Sequence, residues 1–226
     1  MEVRLDADRS RRKGFSEVIF CEGKSEKQLL SIAEEIKTQK LDTAFSRMDE
    51  DQFRAVASVI EDFRYDPLSR VGQTHFGKIY KNGALIAVVS AGSTDVPTAE
   101  EAAQIIEFFG SKAERFYDVG VAGIHRLFNV LPDIKKADVV IVAAGMDGAL
   151  PSVVSGLVSS LVIGLPTSVG YGIAEKGNTA LRSMLCSCSP GLVVVNIDNG
   201  VGAALSALAA SRIKCSDSCQ FKLLEE

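Results

Sequence analysis

Apolar runs with no polar face recur along the second part of this chain: ALIAVVS at 84–90, VVIVAA at 139–144, LVIGL at 161–165 and LVVVN at 192–196. Each is too short to be a free-standing helix and is rich in β-branched residues, so each reads as a strand buried on both faces. Between them lie helix signals. Pro97 and a capping box of Thr98 with Glu101 predict a helix to Phe109, with Gly110 as its stop. Residues 116–121 read as a further strand, 123–131 as a short helix, and Pro151 as the start of another. A helix near 178–186 and a last helix from Gly202 complete the alternation. Buried strands alternating with helices specify an α/β fold with a doubly wound parallel sheet, because only helices on both faces keep such strands dry.

The first 80 residues differ in character. They carry 14 basic and 15 acidic groups, against 11 and 14 in the remaining 146 residues. A small amino-terminal α/β unit and linker is therefore expected over 1–80, the catalytic-type domain over 81–214 and a polar tail over 215–226. Residues 18–21 look like a strand, and Ser25 with Gln28 makes a capping box ahead of the amphipathic run LLSIAEEIKTQ. A second strand is expected over 43–48 and a second helix over 49–62, and FRYDPLSRVGQTHFGKIY reads as a linker or arm. Gly23-Lys24-Ser25 hints at a phosphate loop. The P-loop pattern requires a glycine where Val18 stands, so the match fails.

Ligands of doubly wound sheets sit beyond the carboxyl ends of the strands. In chain order, the expected strands lead into Ser90, Gly92, Ser93 and Asp95; Gly120 and Gly123 with His125 and Arg126; Gly145, Asp147 and Gly148; Thr167 and Ser168; Asn196, Asp198 and Asn199. Turns and caps use the same residue types, so any one loop means little. Five such loops on one rim point to a nucleotide or phosphate site, since small residues let backbone N–H groups reach an anion. His125 suits a proton donor or an anion contact, and Asp147 a general base or a cap. Five cysteines, an odd number, in a chain long enough for a full core read as reduced thiols of a cytoplasmic protein. Cys188, at a Pro-Gly turn taken to lie close to the same rim, suits a nucleophile. Cys186 suits packing inside a helix, and Cys215 with Cys219 forms only a weak zinc pattern.

A net charge of -4 opposes broad nucleic-acid binding, and no apolar stretch approaches the roughly 20 residues a membrane helix needs. The charged start MEVRLDADRSRRKG is not a secretory signal.

Several stretches also resemble a known family. VSAGSTDVPTAEEA, YDVGVAGIHRL, VVIVAAGMDGALPSVVSGLV, IGLPTSVGYG and SCSPGLVVVNIDNG resemble LarB, the pyridinium-3,5-biscarboxylic acid mononucleotide synthase of nickel-pincer cofactor biosynthesis. That family's carboxy-terminal domain is similar to aminoimidazole ribonucleotide carboxylase. RSRRKG, FCEGK and YDPLSR extend the likeness over nearly the whole chain. The resemblance implies carboxylation of nicotinic acid adenine dinucleotide by carbon dioxide, with phosphoanhydride hydrolysis giving the biscarboxylated mononucleotide and AMP. It implies Cys188 as the covalent nucleophile, Asp147 in an acidic position where the family usually has Glu, and Ser93 and Asp95 as phosphate or ribose contacts. It further implies a homo-oligomer, typically an octamer, in which the helix over 202–210 packs either between subunits or within its own. Phosphoanhydride chemistry makes Mg2+ the expected ion, with no ligand set read from spacing and no organic cofactor. Two alternatives stay open: an aminoimidazole ribonucleotide carboxylase or mutase, and a non-catalytic nucleotide-binding module.

Overall fold

The structure, a computed structural model, describes residues 5–76 except Ala7, and residues 83–220, with side chains up to residue 212. The chain divides into two compact units, Met1–Tyr80 and Lys81–Glu226.

The first unit opens with a short helix α1 (Arg9–Lys13), strand β1 (Val18–Phe20) and helix α2 (Glu26–Gln39). The Ser25 box forms as expected: its hydroxyl accepts from the Gln28 N–H while the Gln28 side chain accepts from the Ser25 N–H. Next come strand β2 (Thr43–Ser46) and helix α3 (Glu50–Ala57), α3 being capped by a second reciprocal pair, Asp49 and Gln52. The stretch expected as a linker is instead structured. It supplies β3 (Arg64–Asp66) and β4 (Val71–Thr74), and the sheet runs β1-β2-β4-β3, with β1 and β2 parallel and the other pairs antiparallel. These strands escape a hydrophobic reading because RYD and VGQT are short and interrupted by polar residues. They are held by Phe63, which packs edge-on against Phe45 with ring centroids 5.2 Å apart, and by Tyr65, stacked on Phe53 at 5.0 Å. Residues 77–80 of that stretch fall outside the described residues.

The second unit is the doubly wound sheet. Strands β5 (Leu85–Ser90), β6 (Lys112–Phe116), β7 (Val139–Ala144), β8 (Leu161–Pro166) and β9 (Leu192–Val194) pair in parallel, in the order β6-β5-β7-β8-β9. Central β7 is buried at all six positions. Helices α5 (Ile124–Ile134), α6 (Leu150–Ser155) and α7 (Asn178–Leu185) cover one face through Leu127, Ile134, Leu150, Val154 and Met184. Helices α4 (Val96–Phe108) and α8 (Gly200–Gln220) cover the other. Within this unit α8 lies against α4, with Ala203, Ala204, Ala207 and Leu208 fully buried, so its small-residue stripe is used inside the protomer. Its backbone stays helical to Gln220, six residues into the expected tail.

Two sequence expectations change here. The strand expected over 116–121 is displaced to Lys112–Phe116, because KAERF forms the sheet edge and keeps charged residues toward water. The Thr98–Glu101 box does not form: α4 begins at Val96 with proline in its first turn, and the buried Glu101 accepts the Gly200 N–H at 3.0 Å. Among the described residues, no helix is long and apolar enough to cross a membrane.

Candidate active site

The strand order places the reversal of winding between β5 and β7, where chains lead away to opposite sides and leave a crevice. A cavity of about 310 Å³ opens there. It is lined from four strand ends: Gly92, Thr94 and Asp95 after β5; Asp118, Gly120 and Arg126 after β6; Gly145, Met146 and Asp147 after β7; Val169 after β8.

Four loops leaving the carboxyl ends of the strands contain left-handed non-glycine residues: Asp118 (φ 58°), Met146 (φ 48°), Glu175 and Lys176 after β8 (φ 49° and 51°) and, after β9, Asp198 (φ 54°). Such conformations cost on the order of 1 kcal/mol each and persist only where surrounding contacts fix them. The contacts are visible. The Met146 N–H donates to the Val169 carbonyl at 2.9 Å, tying the β7 loop to the β8 loop. A Cβ at Gly145 would fall 2.3 Å from that same carbonyl oxygen, so only glycine lets the loops close. The Asp198 carboxylate accepts the Ser168 N–H at 2.8 Å.

Asp95 is the centre of this knot. Its Oδ1 accepts the Thr167 hydroxyl at 2.6 Å, its Oδ2 accepts the Gly92 N–H at 2.9 Å, and the Gly145 N–H bonds to it as well. Burial pushes its carboxyl above the ordinary range, and these three donors only partly counter that. Asp147 is exposed, its carboxylate held loosely by the Ala149 N–H at 3.3 Å. Arg126, the one basic residue in the cavity lining, pairs with Asp118, Nη1 to Oδ2, at 2.7 Å. The lining thus holds three carboxylates and one guanidinium, and the Asp118–Arg126 pair leaves Asp95 and Asp147 in excess.

Of the residues singled out from sequence, Gly92, Asp95, Gly120, Arg126, Gly145 and Asp147 line this cavity. Ser90 and Thr167 are fully buried supports behind it, Ser90 accepting the Asp118 N–H at 3.0 Å. Gly123 and Gly148 pack against Arg126 and Ala180. Ser93, Ser168, Asn196 and Asp198 stand on the same rim outside the lining, and His125 is exposed on α5 and does not line the cavity. Asp118, Thr94, Met146 and Val169 are lining residues that the sequence reading does not single out. The YDVGV stretch reads as strand in sequence, although an aspartate inside an apolar run is itself a loop signal.

The placement of Cys188 is a correction. It lies past the carboxyl end of α7 and before β9, where the Ser155 hydroxyl bonds to the Pro190 carbonyl at 2.8 Å and the Val162 N–H to the Gly191 carbonyl. That is the amino-terminal edge of the sheet. Strands of six residues separate the two ends by about 20 Å, so Cys188 and the cavity do not meet within one chain. Cys186, expected in the core, is also exposed, just past the end of α7. Cys21 is the buried thiol, pushed up to about 12 by burial, which leaves it inert. Among the described residues no three His, Cys, Asp or Glu side chains group into a metal site.

Two family models match the two units of the chain. Residues 2–75 match the family model of a LarB/PurE-like N-terminal domain, and residues 85–223 match that of AIR carboxylase. An uncharacterized protein of Methanocaldococcus jannaschii is 37% identical over 232 residues, covering 93% of this chain and 84% of its own. The N5-carboxyaminoimidazole ribonucleotide mutase of the same organism is 33% identical over 146 residues, 62% of this chain and 87% of that protein. A crystal structure of Treponema denticola PurE is 23% identical with a TM-score of 0.43, covering 62% of this chain and 94% of that one.

Proposed function

We propose a specific carboxylase reaction from one premise: the chain belongs to the LarB family, with a LarB/PurE-like amino-terminal domain ahead of an AIR carboxylase domain. The family supports a carboxylase-type enzyme. The finer reading is carboxylation of the pyridinium ring of nicotinic acid adenine dinucleotide, with hydrolysis of its phosphoanhydride to release AMP.

The observation that supports this reading is the charge of the cavity: Asp118 pairs with Arg126, which leaves Asp95 and Asp147 as an excess of two carboxylates. The pyridinium nitrogen bears a fixed positive charge, set apart on the ring from the nicotinic acid carboxylate, whereas an aminoimidazole ring is neutral. At an effective dielectric near 20, a carboxylate about 6 Å from a fixed cation is worth at most on the order of 2–3 kcal/mol, and repulsion of the ring's own carboxylate takes back part of it. The half-exposed Asp118 and exposed Asp147 supply less through solvent screening. The sum still favours a cationic ring.

A pyridinium carbon is electron-poor and does not attack carbon dioxide. A thiolate adding to the ring carbon para to nitrogen converts the ring to a neutral enamine, and the adjacent carbon then forms a bond to carbon dioxide. A base removes the proton from that carbon, the thiolate departs with its bonding pair, and aromaticity returns. In this scheme Asp147, on the cavity lining, serves as that base, and the rim N–H groups and Arg126 take the phosphoryl groups. Water supplies the oxygen for phosphoanhydride cleavage. Cys188 is the nucleophile in this scheme. Because it lies at the far end of the sheet from its own cavity, the scheme requires a homo-oligomer in which one copy's Cys188 meets another copy's rim.

Subunit complementation tests this. Cys188→Ala and Asp147→Asn are each inactive alone; after subunit exchange, random assortment restores roughly a quarter of the sites. A mixture as inactive as its parents, with exchange verified, would exclude a shared site. The mutase reading, which the 33% identical relative favours, needs no thiol: turnover of the aminoimidazole substrate unaffected by Cys188→Ala would establish it instead.

A further inference from the structure

The cavity's guanidinium is held from two sides. Arg126 sits in the first turn of α5, and its Nε and Nη2 lie over Gly123, where an added Cβ would come within 2.8 and 3.2 Å of them. Its Nη1 meets Asp118 Oδ2 at 2.7 Å. Asp118 is itself fixed. Its N–H donates to the buried Ser90 hydroxyl at 3.0 Å, the next N–H donates to the Ser90 carbonyl at 3.1 Å, and its left-handed backbone is locked by those bonds. The aspartate therefore cannot swing aside by moving the loop, while the long arginine side chain can turn. Both side chains remain partly exposed, 39% for Arg126 and 55% for Asp118, so the pair is weak enough to exchange.

We propose that Asp118 is an internal stand-in for the ligand's phosphoryl group: it holds Arg126 aimed into the ligand-free cavity and surrenders it on binding. The inference rests on reading the rim as a phosphoryl site. An arriving phosphate takes Arg126 against the competition of Asp118 and then sits beside an uncompensated carboxylate. Asp118 is thus a positioning residue that lowers affinity for the phosphorylated ligand, and with it the barrier to releasing phosphorylated products.

The test is titration of inorganic phosphate by calorimetry at fixed ionic strength, which requires no carboxylation chemistry. Asp118→Asn keeps the side chain's size, tolerates the left-handed backbone and removes the charge; it binds phosphate about three- to tenfold more tightly than the wild type. Asp118→Gly, for which the same backbone is strain-free, tightens binding in the same direction even where the asparagine disturbs the loop. In an Arg126→Gln background the tightening is smaller, because only the repulsion between Asp118 and phosphate is left to relieve and no guanidinium is released. Unchanged or weaker binding by folded Asp118→Asn and Asp118→Gly overturns the proposal. Arg126→Gln that binds phosphate as well as wild type, or a wild type that does not bind phosphate at all, refutes the phosphoryl-site reading beneath it. Neither of those results bears on whether Cys188 attacks a ring.

Discussion

Thr167→Val is the sharpest probe of the site's internal wiring. The Thr167 hydroxyl is fully buried and gives Asp95 a 2.6 Å hydrogen bond across the crevice, joining the β8 end to the turn after β5. Valine fills nearly the same volume, so packing is conserved and the change isolates one donor. A hydrogen bond to an ionised group is worth about 1.5–3 kcal/mol, one to a neutral group about 0.5–1.5 kcal/mol. The carboxyl's raised pKa makes the cost depend on pH. Wild-type Asp95 is a burden on stability that appears as pH rises from the ordinary carboxyl range through its elevated folded value. Removing a donor from the charged form makes that burden heavier. Urea unfolding at one protein concentration, at about pH 4 and about pH 8, should therefore show a destabilisation about 1 kcal/mol larger at the higher pH. An equal loss at both values, or a variant more stable than wild type at pH 8, would refute the assignment of Asp95 as a buried carboxylate fed by Thr167.

Two further outcomes concern side chains outside the cavity. Burial raises the Glu100 carboxyl, but donors from Arg115, Tyr117 and Gln104 together outweigh it and leave the group below its ordinary range. Its stabilisation is present above the ordinary glutamate range and is lost as pH falls through the lowered folded value. Glu100→Gln should then cost about 2–3 kcal/mol near neutral pH, lowering the melting temperature by roughly 4–10 °C, and less in acid; no shift at neutral pH would show the network to be idle. Buried Cys21, its thiol pushed up to about 12, should resist alkylation by iodoacetamide in native buffer and label on unfolding in urea, read by peptide mass spectrometry. Rapid native labelling of Cys21 would mean that the first unit opens readily.

What sequence reveals and conceals here has a physical logic. The strands 139–144 and 161–166 are legible because central parallel strands are apolar on both faces and look alike wherever they occur. The edge strand KAERF and the polar pieces RYD and VGQT give no such signal, since polar side chains break each pattern. Glu101 illustrates a different limit. Its spacing from Thr98 suggests a local cap, yet the carboxylate serves the start of a helix 99 positions away, a pairing fixed only by tertiary packing. Asp118 is hidden in sequence because the apolar pattern puts the neighbouring strand several residues too late. The place of Cys188, by contrast, is legible from topology. In a parallel unit the helix carries the chain back, so every helix-to-strand turn lies at the amino-terminal edge, opposite the rim where strand-to-helix loops collect. The chemical type of the candidate residues is readable in sequence, but their meeting in space is not.

The most direct test of the carboxylation reading is mass spectrometry of the products formed from nicotinic acid adenine dinucleotide, isotopically labelled bicarbonate and magnesium by the reduced full-length protein. The expected products are a biscarboxylated pyridinium mononucleotide carrying the label and AMP, with the labelled product lost in Cys188→Ala. Unchanged dinucleotide after incubation with folded wild-type protein, or labelled product formed equally well without Cys188, would contradict it.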